Sequence, residues 1–390
     1  MQYRSFKKLN FDVSLLGMGV MRLPRLTAAD GGYYVDREKA FELLRYAVDN
    51  GVNYFDTAFG YHAETAEEIL GEALEGGRRN KVMIGTKQPL YAMKTNDDIR
   101  HNLENTLRKL RTSRIDFYMI HAIGPGMWEE VKERKIIEEY EKFKNEGMIG
   151  GVAFSYHGTF PHFKEVMEYY DWDLCTVQQN FLDSDREVTD KVYDFMRNYK
   201  TAFVIMEPLR GGGLAGAPAK VQGAYDTYEL KRSPAEWAFR YLADRPEINC
   251  ILSGMSTLEQ LKKNIAIFSK PDMLPHCLSF KEKDVIEKAK TAYKSIVTIP
   301  CTACDYCMPC PAGVNIPGMF NLYNDAIRFD YFDTQRRRYM FMTGAGRDFT
   351  KCTECGLCDT KCPQNIDVHK QLKHCHESLK GWVEVPDPGE

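Results

Sequence analysis

Eight of the twelve cysteines fall into two short runs: Cys301, Cys304, Cys307 and Cys310 in CTACDYCMPCP, and Cys352, Cys355, Cys358 and Cys362 in CTECGLCDTKCP. Each run opens with three cysteines in successive Cys-x-x-Cys steps. One tight loop can then offer three thiolates to three corners of an iron–sulfur cube, leaving the fourth iron to a cysteine from elsewhere. Zinc is the competing metal, but structural zinc sites favour cysteine pairs over three successive steps. Both runs end in Cys-Pro, and this repetition favours iron.

In two-cluster ferredoxins the cysteine that precedes proline reaches the other cluster. The duplicated arrangement therefore predicts crossed ligation: Cys301, Cys304, Cys307 and Cys362 on one 4Fe–4S cluster, and Cys352, Cys355, Cys358 and Cys310 on the other. The first run has two residues before its last cysteine where the usual bacterial run has three. A Cys310 that does not bind would leave a single cluster with spare thiols. Of the cysteines outside the runs, Cys175 and Cys250 lie in strand-like stretches, as small core residues do.

A second group of reactive side chains stands at the ends of three consecutive apolar runs. Asp56 ends GVNYFD, Tyr61 follows in TAFGYH, Lys87 ends KVMIGTK and His121 ends IDFYMIH. Singly these would be a cap, a solvated cation and a structural imidazole. On one rim they fit carbonyl reduction. A hydride arriving at a carbonyl carbon leaves charge on the oxygen, which must be protonated as it forms. A tyrosine can supply that proton if a neighbouring cation lowers its pKa from about 10. Lys87 would be the cation, Asp56 its anchor, and His121 a hydrogen-bond donor orienting the carbonyl. His62, beside Tyr61, reads as a rim residue pointing elsewhere.

What must position these groups is an alternation of strands and helices. VSLLGM, GVNYFD, KVMIGTK, IDFYMIH, MIGGVAFS, LCTVQQ, AFVIMEP and INCILSG read as strands. Between them lie stretches with apolar residues three and four apart, such as AFELLRYAVDN and DDIRHNLENTLRKL. Strict alternation predicts parallel strands with right-handed crossovers, and eight units predict a (β/α)8 TIM barrel, whose active site lies at the C-terminal strand ends. After FKEKDVIEKAKTAY, an extra helix, the pattern changes. Between the cysteine runs Phe320, Tyr323, Phe329, Phe332 and Tyr339 recur at helical spacing, so that spacer is expected to be helical and packed. The expected domains are a barrel over 1–280 and a small, mainly helical ferredoxin-like iron–sulfur domain over 281–390, with a frayed PDPGE end.

Composition sets the surroundings. Apolar residues make up 44% and charged residues 27%, as in a soluble protein with a large core. A net charge of -3 gives no field to attract nucleic acid or an anionic membrane, and Arg336, Arg337 and Arg338 read as a solvated helix face. MQYRSFKKLN lacks a signal peptide's apolar core and no stretch reaches a membrane span, so a cytoplasmic location is expected. In that reducing compartment clustered thiols are more often metal ligands than disulfides.

FDTAFGY, GTK and DFYMIH, in that order, resemble the aspartate–tyrosine, lysine and histidine segments of the aldo-keto reductase superfamily over about residues 1–280. With the two cysteine runs appended, the chain is similar to the subgroup bearing a ferredoxin-type C-terminal domain. The resemblance implies that Asp56, Tyr61, Lys87 and His121 are a catalytic tetrad and that NADPH or NADH binds. Ser155 and Gln178 match carboxamide-pocket residues, although Tyr156 stands where asparagine is expected. MEPLRGGGL resembles the pyrophosphate loop, with Pro208, Leu209 and Gly211. Met206 there replaces the aromatic residue that commonly stacks on nicotinamide. SGMSTLEQLKKN resembles the adenosine end, with Gly254, Ser256, Thr257, Gln260 and Asn264 as contacts. No basic residue directly follows SGMST, so NADPH and NADH both stay open.

Three functions follow. The first is an oxidoreductase acting on a small carbonyl or alcohol substrate, with the clusters as an electron relay. Nicotinamide gives two electrons and a cluster passes one, so a flavin, for which no motif is present, or an outside ferredoxin or flavoprotein partner would mediate. The second is an ordinary reductase whose clusters staple a loop-rich tail. The third is a non-enzymatic electron carrier or redox-sensing module.

Overall fold

The computed structural model describes every residue except 28–32, 125, 185–187, 302 and 382–390. The chain divides into two compact units, Met1–Gly211 with Glu236–Phe280, and Gly212–Ala235 with Lys281–Glu390.

The first unit holds all the described strands. They are β1 (Tyr3–Phe6), β2 (Phe11–Ser14), β3 (Leu16–Gly19), β4 (Arg25–Thr27), β5 (Tyr33–Val35), β6 (Tyr54–Asp56), β7 (Met83–Gln88), β8 (Ile115–Ile123), β9 (Ile149–Tyr156), β10 (Leu174–Gln178), β11 (Ala202–Met206) and β12 (Cys250–Ser253). The eight strands read from the sequence are β3 and β6–β12, and they close into one parallel barrel. Two antiparallel hairpins, β1–β2 and β4–β5, are additional; their strands of three or four residues are too short for alternation to register.

Crossover helices form where apolar spacing and caps coincide. Over Arg37–Asp49, Ala40, Leu43, Leu44, Ala47 and Val48 make one buried stripe, and the Asp36 carboxylate caps the start by accepting from the Lys39 N–H at 3.1 Å. Inside the barrel, Phe6 and Val13 of the first hairpin pack with Tyr54, Phe117, Met119, Ala153, Leu174, Ala202, Val204, Cys250 and Leu252. Gly85 is required there, since a Cβ at that position would lie 2.7 Å from the Met119 methyl.

The second unit is helical: Ala219–Tyr225, the helix that begins at Phe280 and runs to Lys294, Ile316–Phe329, Phe332–Gly344, Leu357–Lys361 and Val368–Leu379. Its core gathers Ile299, Val314, Ile316, Met319, Phe320, Tyr323, Tyr339, Val368 and Leu372. The spacer between the cysteine runs is thus two helices, with Phe320, Tyr323, Phe332 and Tyr339 on this core and Phe329 packed instead against Tyr293. Segment 212–235 follows β11 in the chain yet groups with residues 281–390. The Tyr293 hydroxyl donates to the Gly216 carbonyl at 2.8 Å, and Arg232 forms a buried ion pair with Glu282.

Candidate active site and cysteine centres

The side chains of the barrel floor fix which residues face inward above them. In a strand, positions two apart share a face. With Tyr54, Phe117, Met119, Ala153, Leu174, Val204 and Leu252 inside, the next inward positions toward the C-terminal end are Asp56, His121, Ser155, Thr176, Met206 and Gly254, with Gln178 one inward step above Thr176. Lys87 joins them on β7, two residues beyond the inward Gly85. Most of the sequence-identified groups therefore share one layer at the mouth.

Lys87 is the centre of that layer. Its Nζ donates to Asp56 Oδ1, to the Thr57 carbonyl at 2.8 Å and to the Tyr61 hydroxyl at 3.4 Å, which uses all three ammonium protons. It also sits 5.1 Å from the Tyr61 ring centroid. Burial works against the Lys87 charge, but the Asp56 carboxylate and then the Tyr61 oxygen outweigh it, and the pKa is raised. Burial pushes Asp56 up while Lys87 opposes the shift.

Tyr61 corrects one expectation. Burial raises its pKa, Lys87 only partly offsets this, and the charge of Asp56 adds to the rise, so the phenol stays protonated. The expected lowering needs a cation stronger than the loss of solvent, and here desolvation is the larger effect. His121 lies edge-on to Tyr61 with ring centroids 6.2 Å apart. Burial, then Lys87, pushes its pKa down to about 3, so the imidazole is neutral.

Two devices aim these groups. On β8, Ile120 pairs with Phe154 and Ile123 with Tyr156, so two residues, His121 and Ala122, face the single residue Ser155. This is a β-bulge, with Ala122 at φ 55°, set directly after the inward-facing His121. The Ser155 hydroxyl accepts from the Ala122 N–H at 2.7 Å, replacing the ladder bond that the bulge breaks. Its own proton stays free to donate. Tyr156, next on the strand, points outward; its hydroxyl donates to the Thr159 carbonyl at 2.9 Å and lies 2.8 Å from His162 Nδ1.

The second device holds Tyr61. Residues His62, Ala63 and Glu64 all have positive φ, a run that costs backbone strain. His62 is not a rim residue: it is buried, and its Nε2 accepts from the Leu23 N–H at 3.2 Å, tying the Tyr61 loop to the segment after β3. Burial, followed by the charge of Arg25, pushes its pKa down to about 4 and keeps it an acceptor.

The remaining residues assigned by resemblance differ in availability. Gln178 and Met206 lie opposite each other at the ends of β10 and β11. Pro208 is buried and Leu209 half-buried in the turn beyond, and Gly211 takes φ 71°. Gly254 packs against the aliphatic part of Arg22. Ser256 donates from its hydroxyl to the Arg22 carbonyl at 2.9 Å and from its N–H to Gln260 Oε1 at 2.8 Å. Thr257 caps the helix Leu258–Phe268, and Asn264 Nδ2 donates to the Ser253 hydroxyl at 3.2 Å. Gln260 and Asn264 are thus engaged internally. Sequence reasoning missed Glu207, whose charge adds to the rise that burial gives Tyr61 and opposes the burial that lowers the pKa of His157; a carboxylate in a loop carries no signal of what it faces.

In the second unit two cavities are walled by thiols. One is lined by Cys301, Cys304, Cys307 and Cys362; the other by Cys310, Cys352, Cys355 and Cys358 and also by Cys307, which lines both. Each groups three cysteines of one run with the Cys-Pro cysteine of the other. Six of the eight also pack against the helical core. Among the described residues no three His, Cys, Asp or Glu side chains converge as tightly as a single ion demands; a cube separates its thiolates more widely. The arginine run pairs locally, Arg336 with Asp333 at 3.2 Å and Arg337 with the Thr334 hydroxyl at 3.3 Å. Among the described residues no helix is long and apolar enough to cross a membrane.

Residues 15–273 match the profile of the aldo/keto reductase family and residues 300–366 that of the 4Fe-4S dicluster domain. The Bacillus subtilis protein YqkF, an uncharacterized oxidoreductase, is 25% identical over 297 residues, covering 68% of this chain and 90% of its own length. The NADH-specific methylglyoxal reductase of Escherichia coli is 24% identical over 223 residues, 52% of this chain and 66% of that protein. A Bacillus halodurans aldo-keto reductase in its holo form superposes with a TM-score of 0.60 at 23% identity, over 74% of this chain and 96% of the other. For a Klebsiella pneumoniae aldo-keto reductase in complex with NADPH the TM-score is 0.58 at 19% identity, over 74% and 95%. At such identities the structural likeness is one of fold.

Proposed function

Because the chain belongs to the aldo-keto reductase family and carries a C-terminal 4Fe–4S dicluster domain, we propose that it is an oxidoreductase that reduces a small carbonyl, or oxidises the alcohol, with Tyr61 as the proton donor. The observation that carries this reading is the bonding of Lys87 to Asp56 and Tyr61 at the barrel mouth, with His121 edge-on to Tyr61. The barrel over 1–280 would be the reductase domain and 281–390 the cluster domain, in a cytoplasmic protein.

Ser155, with a hydroxyl proton to donate, and Gln178 would hold the carboxamide of NADPH or NADH. Met206, Pro208, Leu209 and Gly211 would border the cofactor, and Gly254, Ser256 and Thr257 would meet its adenosine end beside Gln260 and Asn264. Bound nicotinamide supplies hydride to the carbonyl carbon. The chain's own groups manage the charge left on oxygen. Tyr61, kept protonated by burial, delivers its proton as that charge develops. Lys87 then stabilises the phenolate, and Asp56 holds Lys87 in place. His121, neutral to about pH 3, donates a hydrogen bond to the same oxygen without competing for the proton.

Cys301, Cys304, Cys307 and Cys362 would hold one 4Fe–4S cluster and Cys310, Cys352, Cys355 and Cys358 the other. Bound clusters supply one-electron transfer, which makes them a relay toward a ferredoxin or flavoprotein partner. The packing of six of these cysteines on the helical core favours a second reading, in which the clusters staple the tail.

Methylglyoxal, the compound in one relative's name, is a suitable test carbonyl. Tyr61→Phe is expected to lose its reduction while keeping the brown chromophore; unaffected activity would remove the reading. Clusters reduced with dithionite are expected to reoxidise when methylglyoxal is added together with oxidised nicotinamide and a flavoprotein that pairs their electrons into hydride, and clusters that stay reduced through turnover would leave only the staple.

A further inference from the structure

We propose that the two cluster sites differ in reduction potential, that the site of Cys310, Cys352, Cys355 and Cys358 is the higher of the two, and that His369 sets the difference. The inference rests on the reading of the eight thiols as holding two cubes.

The two cavities have different walls. Around Cys301, Cys304, Cys307 and Cys362 the other polar residues are Asp305 and Gln364, set among Pro317, Phe320, Ile366 and Val368. Around Cys310, Cys352, Cys355 and Cys358 they are Thr353, Glu354, Lys361 and His369. Glu354 and Lys361 are both exposed and opposite in sign, so their effects largely cancel. The first site is left with one carboxylate and the second with an imidazole.

That imidazole is fixed in place, and its Nε2 makes no hydrogen bond. His369 is the second residue of the helix Val368–Leu379, whose start Asp367 caps through the Lys370 N–H at 3.1 Å. Its backbone N–H donates to Asp359 Oδ1 at 3.0 Å, and its ring stands 6.0 Å from that of Phe349. Its Nε2 is buried with no hydrogen-bond partner, the nearest acid being Glu354 Oε1 at 3.7 Å. The other two histidines of this unit are used: His374 Nε2 lies 2.7 Å from the Tyr323 hydroxyl and His376 Nδ1 2.6 Å from that of Tyr339.

A buried polar nitrogen is costly to leave without a partner; Thr353 and Glu354 on the same wall are exposed, Glu354 Oε1 lies beyond hydrogen-bond reach at 3.7 Å, and the remaining acceptors of the cavity are sulfurs. A hydrogen bond to a cluster sulfur stabilises the reduced, more negative form and raises the potential, whereas a carboxylate close by lowers it. An electron shared between the two sites would then rest on the one beside His369. The neutral imidazole suffices, since an N–H on Nε2 is all that the effect needs.

Potentiometric titration of the anaerobically purified full-length protein, followed by electron paramagnetic resonance, tests this on the wild type, His369→Leu, His369→Gln and Asp305→Asn. The wild type is expected to show two couples. His369→Leu should lower the higher one alone, and His369→Gln, which keeps an N–H donor, should restore it. Asp305→Asn should raise the lower couple alone. Asp305 has φ 61°, a conformation asparagine accepts readily, so this variant keeps its loop. Coincident couples in the wild type, or a His369→Leu change that moves neither couple or both equally, would overturn the inference. Iron and sulfide short of two cubes in the wild type would instead remove the reading beneath it.

Discussion

Replacing Lys87 with methionine separates what the buried pair does for the fold from what it does for catalysis. Lys87 is 3% exposed and Asp56 4% exposed, and Asp56 Oδ2 already lacks a hydrogen-bond partner. Lys87→Met strands the carboxylate in the barrel, and breaking a buried pair from one side costs about 3–5 kcal/mol. Burial already raises the Asp56 pKa, and without Lys87 to oppose it the rise is larger, so the variant is relatively better at low pH and loses stability as pH rises. Asp56→Asn in the same chain removes the charge and should return most of the loss. Urea unfolding is read from the fluorescence of Trp128, Trp172 and Trp237, all buried in the barrel unit. Both variants should lose carbonyl reduction by about 10²–10⁴-fold, the usual worth of a positioned proton donor, because Tyr61 loses the cation that stabilises its phenolate. A Lys87→Met protein as stable as the wild type would show that the pair is not charged, and a double variant with normal turnover would show that Lys87 has no part in the chemistry.

Two histidines give pH signatures. His62 titrates at about 4 in the folded chain against 6.5 unfolded, so its contribution is fully present above pH 6.5 and about 3 kcal/mol is lost as pH falls to 4. His62→Gln, which keeps an acceptor for the Leu23 N–H, should show a smaller fall in Tm between pH 7 and 4.5; an equal fall would locate the acid sensitivity elsewhere. His121 stays neutral to about pH 3, so the pH profile of reduction should show no inflection near 6.5. One that vanished in His121→Asn would mean that the imidazole is charged at neutral pH.

Much of the barrel was legible because its signal is local. Period-two runs with a polar residue at their C-terminal end mark both the staves and the layer holding Asp56, Lys87 and His121. The bulge was not legible: IDFYMIH reads as a strand ending at His121, and only the pairing with β9 shows that the strand runs on to Ile123, that Ala122 is the extra residue and that Ser155 repairs its lost bond. The direction of the Tyr61 pKa was hidden for a similar reason. Sequence names the neighbouring cation, but desolvation depends on the whole barrel closing around the phenol. His62 reads as a polar loop residue until the segment after β3 is seen to donate to it. The grouping of 212–235 with the tail rests on contacts such as Tyr293 with Gly216, which no local pattern announces. In the tail, the Cys-x-x-Cys steps announced the chemistry, while the difference between the two cavities depends on which turns of chain wall each one.

In the proposed reaction hydride reaches a carbonyl at the barrel mouth while Tyr61 provides the proton. The direct measurement uses nicotinamide cofactor carrying deuterium at the transferable C4 position, with methylglyoxal and the anaerobic, cluster-loaded protein, followed by mass spectrometry of the alcohol. Deuterium is expected on the carbinol carbon with the wild type, and no alcohol with Tyr61→Phe. Unlabelled alcohol from the wild type, formed as the clusters lose electrons, would contradict it.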